Sequence, residues 1–191
     1  MGVLYLQGGG ESPRTGPGRR VHEVDWPTGL TAPHLNSNWL AQPFQAQLEE
    51  VEGLLEDADG AVGYAWGAWL LLCALERGRN AHLESAPFLF LSSFFNRGRF
   101  TGQDPTGYRL PRADRVKSAL SRGGKLDDLD LRFVHGLEDQ FADPVELSFL
   151  KEVGFSVTFV SAGHRLLGAG DKAVQRELVR MRARLSHRRQ E

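Results

Sequence analysis

The chain has 191 residues, of which 41% are hydrophobic and 25% charged, with a formal net charge of −1. That is enough for one domain, spanning 1–191, with a full core, and too apolar a mixture for a disordered chain. The balanced charge supplies no field toward nucleic acid, the lone Cys73 excludes an internal disulfide, and no run of about 18 apolar residues offers a transmembrane helix. A cytoplasmic protein with no nucleic-acid and no membrane partner is expected.

Met1 to Leu6 is too short, and lacks the basic flank, for a signal peptide. Gly2 to Leu6 reads as a short buried strand. The glycines of Gln7-Gly8-Gly9-Gly10 serve either a flexible turn or a backbone that must approach a ligand closely. Glu11 to Arg20, with Pro13, Pro17, Arg14, Arg19 and Arg20, shows no helical period and is expected to be a loop. Its arginines are either solvated or turned to an acidic ligand group. Val21 to Val24 alternates like a strand, ended by Asp25-Trp26-Pro27. Residues 28–42 read as a second long loop. The aromatics here, Trp26 and Trp39, either line a pocket or plug the end of the core.

Phe44, Leu48, Val51 and Leu55 recur at helical spacing, with Glu49, Glu50, Glu52 and Glu56 on the opposite face. Asp57 to Gly60 ends that helix. Ala61 to Tyr64 is a strand, and Ala68 to Leu75 is apolar nearly all round, which predicts a central buried helix with Cys73 as a small core residue. Pro87 to Ser92 is a continuous apolar strand, as in a parallel sheet covered on both faces. Residues 93–124 are short for an insertion, with one helix near Arg112 to Leu120. Phe94, Phe95, Phe100 and Tyr108 are candidate pocket walls there.

Leu129 to His135 is the next strand, and a loop carrying Asp139 follows it. Asp143, Pro144 and Glu146 open a helix as cap, first-turn proline and first-turn acid, with Val145, Phe149 and Val153 as its expected buried stripe. Phe155 to Val160 is a β-branched strand leading into Ser161-Ala162-Gly163-His164. A last helix begins near Asp171 and turns Val174, Leu178, Met181 and Leu185 inward. Its outer arginines (176, 180, 182, 184, 188 and 189) form either a solvated face or a docking patch for an acidic partner. There is no repeat, no C-x-x-C pair and no H-E-x-x-H, so neither metal nor cofactor is expected.

Gly63-Tyr64-Ala65-Trp66-Gly67 joins a strand to a helix through two glycines, the layout of a nucleophile elbow, G-x-S-x-G. With His135-Gly136-Leu137-Glu138-Asp139, Ala162-Gly163-His164-Arg165-Leu166 and the early glycine run, in that order, the chain resembles the α/β-hydrolase fold family over nearly its whole length. The resemblance implies a compact α/β-hydrolase fold with about six mostly parallel strands, helices on both faces and a minimal lid over 93–124. It places the nucleophile position at Ala65, the acid at Asp139 and the base at His164. It gives the oxyanion donors as Gly8 or Gly9 together with Trp66. Gln7, Tyr64, Trp26, Phe94 and Phe95 are the candidates for substrate contact. Asp143 has a sufficient explanation as a helix cap, and His164 otherwise reads as a loop histidine after a strand.

In such a site a serine attacks an acyl carbon, the histidine carries its proton, and the acid orients the imidazole. The implied parent activity is hydrolysis of a carboxylic ester or thioester, with a small-molecule acyl substrate. A monomer and a homodimer are both compatible with it. Ala65 has no nucleophilic atom, so this copy is expected to be inactive in that reaction. Three explanations are open. One is an engineered Ser→Ala change, which an intact acid and base favour. The others are a natural pseudo-hydrolase that binds a ligand or a protein, and a catalyst that uses His164 as a base without a covalent step.

Overall fold

A computed structural model describes residues 2–9, 15–78, 83–95 and 110–188. Among the described residues six strands form one sheet in the order β2-β1-β3-β4-β5-β6, and every neighbouring pair is parallel. The strands are β1 (Gly2–Leu6), β2 (Leu30–Thr31), β3 (Ala58–Tyr64), β4 (Pro87–Leu91), β5 (Asp130–Gly136) and β6 (Ser156–Val160). The helices are α1 (Gly16–Glu23), α2 (Ser37–Leu40), α3 (Phe44–Glu56), α4 (Trp66–Arg77), α5 (Ala113–Ala119), α6 (Ser148–Glu152) and α7 (Ala169–Arg188). α1 and α7 pack together on one face, while α3, α4 and α5 form the opposite layer. The all-parallel sheet therefore has both faces covered, and this is why β4 is buried at every position and α4 at every position from Gly67 to Leu75.

From β1 the chain goes to β2 on one side and then returns past β1 to β3, so the winding reverses between β1 and β3. Ligands in open α/β sheets bind outside the carboxyl ends of the strands at such a reversal. Here that crevice lies between Gln7-Gly8-Gly9 at the end of β1 and Ala65 at the end of β3, where Leu6 is in register with Gly63.

The helix-and-strand reading of the middle and end of the chain stands, with four corrections. The segment read as a loop up to Arg20 contains α1, and the strand read at Val21 to Val24 is the end of that helix and its extended cap residue, Val24. Only Pro17, Gly18 and Val21 of α1 are buried, too few to show a helical period. Its position depends on a distant partner, Arg20, whose Nε donates to Asp171 of α7 at 2.7 Å. The loop read over 28–42 holds the edge strand β2, paired through Val3↔Leu30, and the one-turn α2, whose Asn36 cap accepts from Trp39 N–H at 2.9 Å. The stripe Val145, Phe149, Val153 is not the buried one: Val145 is exposed, and Leu147 and Leu150 are in the core. The first turn, Pro144–Leu147, is 3₁₀, and three residues per turn shift the inward phase. Of the region read as a lid, 96–109 lies outside the described residues, and so do Phe100 and Tyr108; so also do Gly10, the start of the loop at 11–14 and Arg189.

Gly63 and Gly67 are set by close approach. A Cβ on Gly63 would lie 2.6 Å from Ala68 Cα, and one on Gly67 would press into the Leu6 carbonyl of β1. Gly53, on the exposed side of α3, meets nothing within 4 Å. Urea unfolding should therefore separate two Gly→Ala changes of opposite sign. Gly67→Ala is expected to destabilise by about 3 kcal/mol, since only backbone can move to make room. Gly53→Ala is expected to stabilise by about 1 kcal/mol through helix propensity.

Candidate active site

Ala65 is the hinge between β3 and α4, at φ 49° and ψ −111°. Its N–H donates to Leu91 O at 2.9 Å, and its carbonyl accepts from Trp69 N–H at 3.1 Å. A side-chain-bearing residue held there costs on the order of 1–3 kcal/mol, sustained only because its neighbours over-determine it. Ser92, just after β4, has φ 47°, and Leu166, two residues past His164, has φ 51°. Three of the strained non-glycine residues thus follow β3, β4 and β6 at their carboxyl ends.

Asp139 leaves β5 in a tight turn, and its carboxylate is fully buried. Oδ1 accepts from the N–H groups of Phe141 (2.8 Å) and Ala142 (3.1 Å), and Oδ2 faces His164 Nδ1 at 2.8 Å. A carboxylate opposite Nδ1 keeps the proton there, so Nε2 is the basic nitrogen. His164 is fixed by its backbone as well, because its carbonyl accepts from Ser92 Oγ at 2.7 Å and from the Tyr64 hydroxyl at 3.3 Å. The Phe141 ring stands edge-on to the imidazole, 4.8 Å between centroids. Asp143 acts as a cap, accepting from Val145 N–H at 3.0 Å.

Ala65 and His164 share a cleft of about 370 Å³, with Gly9, Leu40, Trp66, Phe94 and Phe141 as its other lining residues. That size falls within the range of small-molecule sites. Ala65 on the floor, an imidazole and the carboxylate hydrogen-bonded to it therefore meet at the sheet's point of reversal.

No protein-family model matches the chain, and no curated protein matches it. Solved structures do. The esterase Pf2001 of Pyrococcus furiosus aligns over 95% of this chain and 80% of its own, at 12% identity and a TM-score of 0.65. The ydeN gene product of B. subtilis aligns over 95% and 98%, at 15% identity and a TM-score of 0.62. A hydrolase assigned to the alpha/beta superfamily, from Xanthomonas campestris pv. campestris, aligns over 95% and 97%, at 14% identity and a TM-score of 0.60. The chain has the α/β-hydrolase fold.

At such identities the likeness concerns the backbone path, and the cleft has to be read from its own geometry. Of the residues singled out in the sequence, Ala65, His164, Gly9, Trp66 and Phe94 line the cleft, and Asp139 lies behind His164. Gly8 is buried beside Tyr64. Tyr64 is buried too and reaches the site through its hydroxyl, while Gln7 is buried and outside the lining. Two expected substrate contacts are elsewhere. The indole N–H of Trp26 donates to Val21 O at 3.0 Å, inside the core under α1. Phe95 is packed edge-on against Trp69 and Phe149. Leu40 and Phe141 line the cleft and went unread. The Asn36 cap was a legible sign of the helix carrying Leu40, whereas nothing in sequence marks Phe141.

Among the described residues no group of three or more His, Cys, Asp and Glu could hold a metal, and no helix is long and apolar enough to cross a membrane. Cys73 is buried in α4, and burial pushes its thiol out of the reactive range.

His135 also went unread. It is completely buried on β5, where Nε2 meets Ala142 O at 3.0 Å and lies 3.8 Å from Asp139 Oδ2, while Nδ1 has no hydrogen-bond partner among the described residues. Burial pushes its pKa below 6.5, and the Ala142 carbonyl and the Asp139 charge oppose that only in part. The unfolded chain therefore takes up a proton at this position that the folded chain refuses. The corresponding stability is complete above about pH 6.5 and drains away as pH falls below it, by up to about 1.4 kcal/mol per pH unit. His135→Gln can still donate to Ala142 O but does not titrate. Denaturant titrations between pH 7 and pH 5 should show a shallower loss of stability in that variant.

Proposed function

We propose that this α/β-hydrolase-fold chain is a site for a carboxylic ester or thioester from which the nucleophile is missing. It binds the acyl group and presents its carbonyl to the elbow without forming an acyl-enzyme. The observation that carries the reading is the Asp139–His164 pair at 2.8 Å, aimed into a cleft that contains Ala65 in the strained elbow conformation.

With a hydroxyl at position 65, the chemistry would run as follows. The oxygen attacks the acyl carbon while His164 Nε2 takes its proton. Asp139 stabilises the imidazolium through Nδ1–H. The backbone N–H of Trp66, with that of Gly8 or Gly9, receives the developing oxyanion. The imidazolium then returns its proton to the leaving group, and water repeats the cycle on the acyl-enzyme. Ala65 removes the first step and leaves the others provided for. A single serine-to-alanine exchange, engineered or natural, accounts for the arrangement. A second reading keeps His164 as a base acting directly on water, since it is partly exposed in the same cleft and the residue at position 65 offers it no hydroxyl.

Ala65→Ser is the test. The variant is expected to label with a fluorophosphonate probe and to hydrolyse short aryl esters. Its turnover should exceed that of the Ala65 chain by a factor on the order of 10⁶ if the whole triad is in register. Asp139→Asn in the Ala65→Ser background should remove most of that gain. A folded Ala65→Ser variant that neither labels nor turns over would sink the proposal. Ester hydrolysis by the Ala65 chain itself, without labelling, would instead favour His164 acting on water.

A further inference from the structure

Building on that reading, we infer that the cleft selects an uncharged, flat aryl group on its ester or acyl ligand, and that Gln47, which does not line the cleft, is the residue that sets this preference. Three of the lining side chains are aromatic: Trp66, Phe94 and Phe141. Leu40 completes the apolar wall. Among the described residues none of the lining side chains is an Asp, Glu, Lys or Arg, so a charged substituent on the aryl group meets no ionic partner in them. The aromatic walls are also held in place. Trp66 lies near-parallel to Phe94, at 6.4 Å and 27°, and forms a T-shaped pair with Phe44 at 6.0 Å between centroids. Rigid aromatic walls define a slot, whereas flexible aliphatic ones would reshape around a chain.

Gln47 ties two parts of this wall together. It projects from α3 and is only 3% exposed. Its Oε1 accepts from Trp66 Nε1–H at 2.9 Å, and its Nε2 donates to the carbonyls of Leu40 (3.2 Å) and Gln42 (2.9 Å). One amide thus orients the indole and fastens the end of the segment that carries Leu40. A second tether lies one turn on, where Trp39 Nε1–H donates to Glu50 at 2.6 Å. Gln47 touches no reacting atom and is a positioning residue.

Three acetates with eight carbons each separate shape from hydrophobicity: phenyl, cyclohexyl and n-hexyl acetate. Simple apolar transfer favours the saturated pair, so an aryl preference has to come from the walls. Competition binding to the Ala65 chain, read by calorimetry, is expected to place phenyl acetate about three- to tenfold tighter than either. A charged 4-acetoxybenzoate is expected to bind more weakly than phenyl acetate. Gln47→Met is expected to bring the ratio close to one and to move the Trp66 indole N–H resonance. Gln47→Glu still accepts from Trp66 but has no donor for the Leu40 and Gln42 carbonyls, so it is expected to keep only part of the preference; it carries the test if the methionine variant does not fold.

Binding of none of the three esters, equal affinities, or tighter binding of the saturated esters would overturn the inference. A preference that survives Gln47→Met, or one left unchanged by Gln47→Glu, would overturn the role of Gln47. Phenol release by the Ala65 chain would count against the proposed function alone, since the order of affinities is still read from competition.

Discussion

The chain has to turn from β3 into α4 within one residue while β1 lies alongside, and the rest of the site depends on that crowding. Gly63 has Ala68 against it and Gly67 has the Leu6 carbonyl against it, so no side chain fits on either flank. Between them Ala65 is driven to φ 49°, with its N–H spent on Leu91 O and its carbonyl on Trp69. None of these restraints uses the side chain at position 65. The turn is therefore indifferent to whether a hydroxyl is present, and an alanine can stand there without loosening anything around it. This separation of scaffold from side chain leaves the Asp139–His164 pair in place whatever side chain stands at position 65.

The same economy runs through the other two loops. Asp139 is oriented by backbone N–H groups of its own turn, and His164 is held at both ends, by Asp139 at its ring and by Ser92 and Tyr64 at its carbonyl. The carbonyl tethers come from the ends of β3 and β4, the strands next to the cleft. Positive φ occurs at Ala65 and Ser92, at the carboxyl ends of β3 and β4, and at Leu166 in the loop after β6, and the buried sheet beneath supplies the rigidity to hold it. The cleft wall follows the same logic one layer out, with a buried glutamine amide fixing an indole that itself lines the space.

Much of this was legible in the residues. The continuous apolar runs of α4 and β4 mark elements buried on all sides, and the heptad-like spacing of α3 and the inward stripe of α7 express burial on a regular period, so local order follows from patterning. The elbow glycines, Asp139 and His164 were legible as a set because their order and neighbours carry information that no one of them has. What failed was short or governed by distant contacts. α1 buries three residues and is tied to α7 by an ion pair across 151 positions. β2 is two residues long and exists only because Val3 pairs with Leu30. The inward phase of Pro144–Leu147 changed because its turn is 3₁₀ rather than α.

From sequence alone it follows that the chain forms a covered α/β sheet, that a strand–turn–helix elbow bears an alanine, and that an acid and a histidine come after it in order. Each rests on periodicity or on a steric demand local to a few residues. Tertiary structure alone decided which aromatics face the cleft. Trp26 and Phe95 are turned into the core, and Leu40 and Phe141 reach the ligand space from segments with no distinguishing pattern. It alone also decided that Ser92, Tyr64, His135 and Gln47 support the site from behind. The physical reason is that a side chain's partner across 70 or 100 residues is set by how helices and strands dock. Docking depends on the sum of many weak contacts over the whole core, and no short stretch of sequence encodes that sum.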